Sequence, residues 1–108
     1  MNNHRIERIA YDFQKRIREI PGVDRAKVYI FGSAVRDSME EGSDIDLLVV
    51  LDNRDDVVEK KISDVAFRMS LENDILINEI VYSREVYESK RFRVTPLFKN
   101  IQKDGVPV

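Results

Sequence analysis

Residues 28–50, VYIFGSAVRDSMEEGSDIDLLVV, decide the reading of this chain. An apolar, β-branched and aromatic run, Ala26 to Phe31, stops at Gly32-Ser33. A second run, Asp44 to Leu51, opens with two aspartates, Asp44 and Asp46, and continues through four consecutive apolar residues, Leu47 to Val50. Both runs have strand length and composition. The second lacks a polar face after Asp46, which predicts a central strand covered on both sides. Along a strand, residues i and i+2 point to the same side, about 6.6–7 Å apart. Asp44 and Asp46 therefore share a face and Ile45 takes the other. Carboxylates are costly to bury unless paired, hydrogen-bonded or bound to a cation, so packing alone does not select this arrangement.

The flanks extend the pattern. Ile6, Ile9, Ala10, Phe13, Ile17 and Ile20 recur at spacings of three and four, and Arg5, Glu7, Arg8, Asp12, Lys15, Arg16 and Arg18 fill the opposite face. This predicts an amphipathic helix over 4–19, ended by Pro21-Gly22. Val57, Val58, Ile62, Val65, Ala66 and Met69 predict a second helix over 54–71. Residues 74–82, DILINEIVY, read as a third strand. Ser83 suits the cap of a short helix, Pro96 the first turn of another, and residues 106–108 a brief extended tail. The order βxβαβ with helices at both ends predicts an α/β fold. The expected architecture is one small domain over 1–108, a twisted mixed sheet of three to four strands with helices largely covering one side.

Composition narrows the chemistry. The chain has 108 residues, no cysteine, one histidine (His4) and a formal net charge of −2. Without cysteine there is no disulfide framework, thiolate zinc site or cysteine nucleophile. A single histidine excludes a multi-histidine metal site within one chain. The near-neutral balance gives no general attraction to nucleic acid. No apolar run approaches the roughly 20 residues of a membrane span, and the N-terminus has no apolar signal segment. A cytoplasmic location is expected.

The aspartate pair has a bland reading, in which Asp44 caps a turn and Asp46 is a solvated carboxylate. It also has a chemical one. Like charges this close repel unless a cation stands between them. Magnesium takes hard oxygen ligands, typically one or two carboxylates plus substrate phosphates. Gly32-Ser33 fits the other half of such a site. Glycine lets backbone approach a ligand closely, and a serine at a helix start adds a hydroxyl to free N–H groups that suit phosphate.

Gly32-Ser33, ten intervening residues and Asp44-x-Asp46 resemble the signature of the DNA polymerase beta-like nucleotidyltransferase superfamily. Size and detail, including FGSAVR, GSDIDLLVV and the later TPLFKNIQKDGV, look like its minimal nucleotidyltransferases, the MNT group. The resemblance implies a nucleotidyltransferase-like fold. It implies ATP or another NTP as substrate, and two Mg2+ ions held by Asp44 and Asp46. Gly32 and Ser33 would hold the nucleotide phosphates. Arg36 would meet a phosphate or tie the turn to the sheet. The family usually adds a third carboxylate on the strand after the second helix. Glu79 is the acidic residue nearest that place, and Asn78 is the alternative occupant. Strand alternation lets only one of them face the metals. With Glu79 there, the acceptor-side ion gains a ligand and the hydroxyl a base. With Asn78, the general base or second-metal ligand is missing, since an amide oxygen can ligate a metal but cannot take a proton.

The resemblance further implies transfer of AMP or another NMP to a hydroxyl, with a HEPN-type protein as acceptor and partner in a toxin–antitoxin system. Two alternatives stand beside it: a non-catalytic antitoxin that binds its partner through the same fold, and a nucleic-acid nucleotidyltransferase using Lys90, Arg91, Arg93 and Lys99. Tyr87, Phe92, Leu97 and Phe98 fit either a contact surface or the core of the last helices. A homo-oligomer is also compatible with a domain of this size.

Overall fold

The computed structural model describes residues 3–31 and 44–108. Helix α1 (Asn3–Arg18) leads into strand β1 (Lys27–Phe31), and strand β2 (Ile45–Leu51) is followed by helix α2 (Asp56–Asn73) and strand β3 (Ile77–Ser83). Three short helices follow, α3 (Arg84–Tyr87), α4 (Lys90–Arg93) and α5 (Pro96–Asp104), and then a two-residue strand β4 (Val106–Pro107). The sheet order is β3-β2-β1-β4. β2 runs antiparallel to β1 and parallel to β3, and β4 pairs antiparallel with β1. The sheet is therefore mixed and four-stranded, as the sequence leads one to expect.

β2 lies at the centre because it can be dry on both faces. Ile45, Leu47 and Val49 are fully buried and face α1 and α2, together with Val28, Ile30 and Ile77. Leu48, also fully buried, and Val50 face the other way. From α1, Ile6, Ile9, Ala10, Phe13 and Ile17 enter the first layer, and from α2, Ile62, Ala66 and Met69 do so. Fully burying one such aliphatic or aromatic side chain contributes about 1.5–3 kcal/mol, so this interface is the main source of stability. Arg18 reaches back from the end of α1 and donates two hydrogen bonds, at 3.0 and 2.8 Å, to the Ala26 carbonyl. Gly22, at φ +89°, makes the intervening turn, a conformation that L side chains rarely adopt.

The second face corrects the expectation of helices on one side. α3, α4 and α5 lie over it: Tyr87, Leu97 and Ile101 pack against Tyr29, Phe31, Leu48, Val50, Ile80 and Tyr82. Phe92 and Phe98 are buried, and Tyr82, Tyr87, Phe92 and Phe98 form a run of ring contacts with centroids 4.7–5.8 Å apart. These aromatics are therefore core. Three hydroxyl caps, Ser83, Ser89 and Thr95, each accept from the backbone N–H three residues on, starting the short helices in close succession. Gly105 ends α5 where an added Cβ would sit 2.3 Å from the Ile101 carbonyl oxygen. Only glycine fits that approach, and it delivers Val106 and Pro107 to the edge of β1.

The third strand starts later than the sequence reading places it. Asp55 caps α2 by accepting from Val57 and Val58, and the helix continues to Asn73. Asp74 then adopts a left-handed conformation, φ 53° and ψ 43°, its N–H returning to the Ser70 carbonyl. The Ser70 hydroxyl accepts from Ile77 N at 3.0 Å. Asp74 to Leu76 thus form a helix stop, which propensity alone does not separate from strand.

Candidate functional site

The aspartates stand at one end of the central strand. Ile45 donates to the Leu76 carbonyl at 2.8 Å, which sets the parallel register of β2 on β3. That register places Asp46 opposite Asn78 on β3, while the antiparallel register of β1 places Phe31 opposite Asp46 on the other side. Phe31, Asp46 and Asn78 therefore form one row across the sheet. β1 ends at Phe31, so the chain leads into Gly32-Ser33 from the same sheet end that carries the aspartates. Gly32, Ser33 and Arg36 lie outside the described residues.

Asp44 and Asp46 are both half-buried, and each meets the same side chain. Asn78 Nδ2 donates to Asp44 Oδ2 at 2.8 Å and to Asp46 Oδ1 at 3.4 Å. A primary amide has two N–H donors, so both are directed at carboxylates here. Burial pushes the Asp46 carboxyl above its ordinary range, the Asn78 hydrogen bond pulls it back, and the neighbouring Asp44 charge adds to the rise. Among the described residues, the side chain that meets both anions is a neutral amide. The pair's donor set, two hard carboxylates open to solvent, fits a magnesium ion that draws its remaining ligands from phosphate and water.

Glu79 is elsewhere. It pairs with Leu47 in the register, on the α1–α2 face of the sheet. There it lines a shallow depression with Arg54, Glu59 and Ser63. The structure brings Asn78, and not Glu79, to the aspartates. Among the described residues no group of three or more acidic, histidine or cysteine side chains is placed to hold a metal. The role of Asn78 as a shared donor was hidden in the sequence. Strand alternation separates it from Glu79 without saying which of the two faces Asp46.

The described part of the site is a mixed sheet end with Asp44 and Asp46 at the start of β2, β1 ending beside them and β3 running parallel on the other side. The nucleotidyltransferase domain family matches residues 10–104. A Methanocaldococcus jannaschii protein provisionally named protein adenylyltransferase MJ0141 is 37% identical over 82 residues, covering 75% of this chain and 83% of its own. The chain belongs to the nucleotidyltransferase domain family. Its fold also matches a crystal structure described as a toxin-antitoxin with AMP-PNP (TM-score 0.58, 17% identity, 99% of this chain and 72% of that one). A mutant of the toxin-antitoxin MntA-HpeT matches with a TM-score of 0.57 at the same identity and coverage. At this identity the likeness is one of fold.

Proposed function

We propose that this chain transfers AMP, or another NMP, from its NTP to a hydroxyl group on a partner protein, as an MNT-type antitoxin acting on a HEPN-type toxin. The observation that carries the reading is the half-buried pair Asp44–Asp46, held on one sheet face beside the end of β1. Family membership supports nucleotidyl chemistry. The provisional name of the archaeal relative supports protein as acceptor and AMP as the group moved. The toxin–antitoxin structures support the kind of partner, one of them with AMP-PNP.

In this account Asp44 and Asp46 hold magnesium, which when bound neutralises charge on the triphosphate. Gly32 and Ser33 receive the β- and γ-phosphates through backbone N–H groups and the serine hydroxyl. Arg36 meets a phosphate or braces the turn. The acceptor oxygen bonds to the α-phosphorus in line as the α–β bridging bond breaks and pyrophosphate leaves. Asn78 cannot take the hydroxyl proton, so that proton passes to a carboxylate oxygen of the aspartate pair or to solvent. A well-placed general base contributes about 10²–10⁴-fold. Without one on β3, most of the acceleration falls to positioning and charge neutralisation, and turnover is slow.

Asn78 beside the aspartates, with Glu79 on the opposite face, favours one second reading: an antitoxin that binds its partner through this fold without turnover. One experiment separates the two. Purified protein is incubated with α-labelled ATP, magnesium and a candidate HEPN-type partner protein. Covalent label on the partner, lost in Asp44→Asn, establishes transfer. A stable complex that never acquires label establishes sequestration.

A further inference from the structure

We propose that Asn78 limits this site to a single protein-held divalent cation, the one that accompanies the nucleotide, and that the acceptor-side second ion is absent. The inference rests on the metal–nucleotide reading above and concerns what the residues of β3 add to it. In the row Phe31–Asp46–Asn78, β3 is the neighbour of Asp46 on the side away from β1. A second ion about 3.5–4 Å from the first needs anionic oxygens of its own. On this face of β3 the side chain next to the aspartates is a neutral amide. The adjacent carboxylate, Glu79, is on the other face.

The orientation of the amide follows from the charges around it. Facing two carboxylates, Asn78 presents its nitrogen, because its oxygen would meet oxygen. Both N–H groups then stand where positive charge is needed, and the amide serves as a weak stand-in for a cation. When a cation occupies the pair, an N–H pointed at it is unfavourable. The amide must rotate to offer Oδ1 or turn away. Either way it contributes no charge, so the described residues supply two carboxylates here where a carboxylate at residue 78 would make three. Two carboxylates and a triphosphate suffice for one magnesium. They leave the second without a carboxylate that is not already shared.

The test counts ions and does not depend on turnover. The full chain is loaded with Mn2+ and a non-hydrolysable ATP analogue and frozen for electron paramagnetic resonance. Two manganese ions within about 4 Å give a spin-coupled spectrum, and one gives the signal of an isolated ion. The wild type is expected to show an isolated ion, and Asn78→Asp a coupled pair. A coupled pair in the wild type overturns the proposal and leaves the metal–nucleotide reading standing. An isolated ion in a folded Asn78→Asp protein, checked by circular dichroism, also overturns it, because Asn78 is then not what withholds the second ion. No bound manganese in the wild type overturns the metal–nucleotide reading and this inference together. The wild-type spectrum is decisive by itself if Asn78→Asp fails to fold.

Discussion

Replacing Asp46 with asparagine is expected to make the metal-free protein more stable while removing its capacity for magnesium. Asp44 and Asp46 lie two residues apart on one strand face, and one Asn78 nitrogen reaches them at 2.8 and 3.4 Å, which puts their nearest oxygens within about 6 Å of each other. Two unit charges at about 6 Å repel by about 0.7 kcal/mol at the dielectric of water and about 2.8 kcal/mol at an effective dielectric of 20. Both groups are half-exposed, which puts the interaction toward the lower figure, and Asn78 donates to both whatever their charge. Asparagine keeps an acceptor for Asn78 and ends the repulsion and the charge burial that raises the Asp46 pKa. The net gain is about 0.5–1.5 kcal/mol. For a domain of this size that is a rise of about 2–6 °C in Tm. The assay is thermal unfolding in EDTA, followed by circular dichroism, with urea melts as a check. Adding magnesium at ten times its dissociation constant is then expected to stabilise the wild type by about 1.4 kcal/mol and to leave Asp46→Asn unmoved. An Asp46→Asn protein that melts below the wild type in EDTA refutes the reasoning, because the aspartate pair would then be a source of stability rather than a strain kept for binding.

Three further outcomes are expected. The folded-state pKa of Asp46 is raised, so its contribution to metal-free stability is fully present below the unfolded value of about 3.9 and is lost as pH rises through the folded value. Urea melts from pH 3 to 7 on wild type and Asp46→Asn isolate that component as the difference between the two curves, and a difference that grows in the wild type's favour with pH contradicts it. Asp55→Ala removes the acceptor for Val57 and Val58 at the start of α2 and is expected to cost about 1 kcal/mol, read as a lower urea midpoint at unchanged slope. Asp74→Gly relieves a non-glycine residue at φ 53° and is expected to stabilise the fold by about 0.5–1 kcal/mol, read as a higher urea midpoint. No gain there means that the aspartate side chain supports the helix stop.

Local pattern made the central strand and both long helices legible. Leu47 to Val50 has no polar side after Asp46, and a strand of that kind must be dry on both faces. The spacing from Ile6 to Ile17 names the buried face of α1 residue by residue. The cover on the second face was harder to read. It is built from three helical segments of four to nine residues, too short for periodicity to register, and their aromatics bury themselves only after the chain has turned back over Tyr29 and Tyr82. β4 is two residues whose strand character exists only through pairing with Tyr29 and Ile30.

The candidate site divides the same way. Asp44 and Asp46 share a face by local geometry, so their convergence could be read from two residues. The choice between Asn78 and Glu79 turns on the register of β3 against β2, fixed by contacts such as Ile45 to Leu76, 31 residues apart in the chain and adjacent in space. No local pattern carries that information. That register puts a neutral donor, and not a carboxylate, beside the aspartates.

The central claim is that Asp44 and Asp46 gather a hard cation beside a grip for a triphosphate at Gly32-Ser33. A crystal grown with manganese and a non-hydrolysable ATP analogue, with data collected for anomalous scattering, tests it most directly. The account predicts an anomalous peak ligated by Asp44, Asp46 and phosphate oxygens, with the rest of the triphosphate against residues 32 and 33. Nucleotide bound elsewhere, or an open and accessible site with no manganese at the two aspartates, would contradict it.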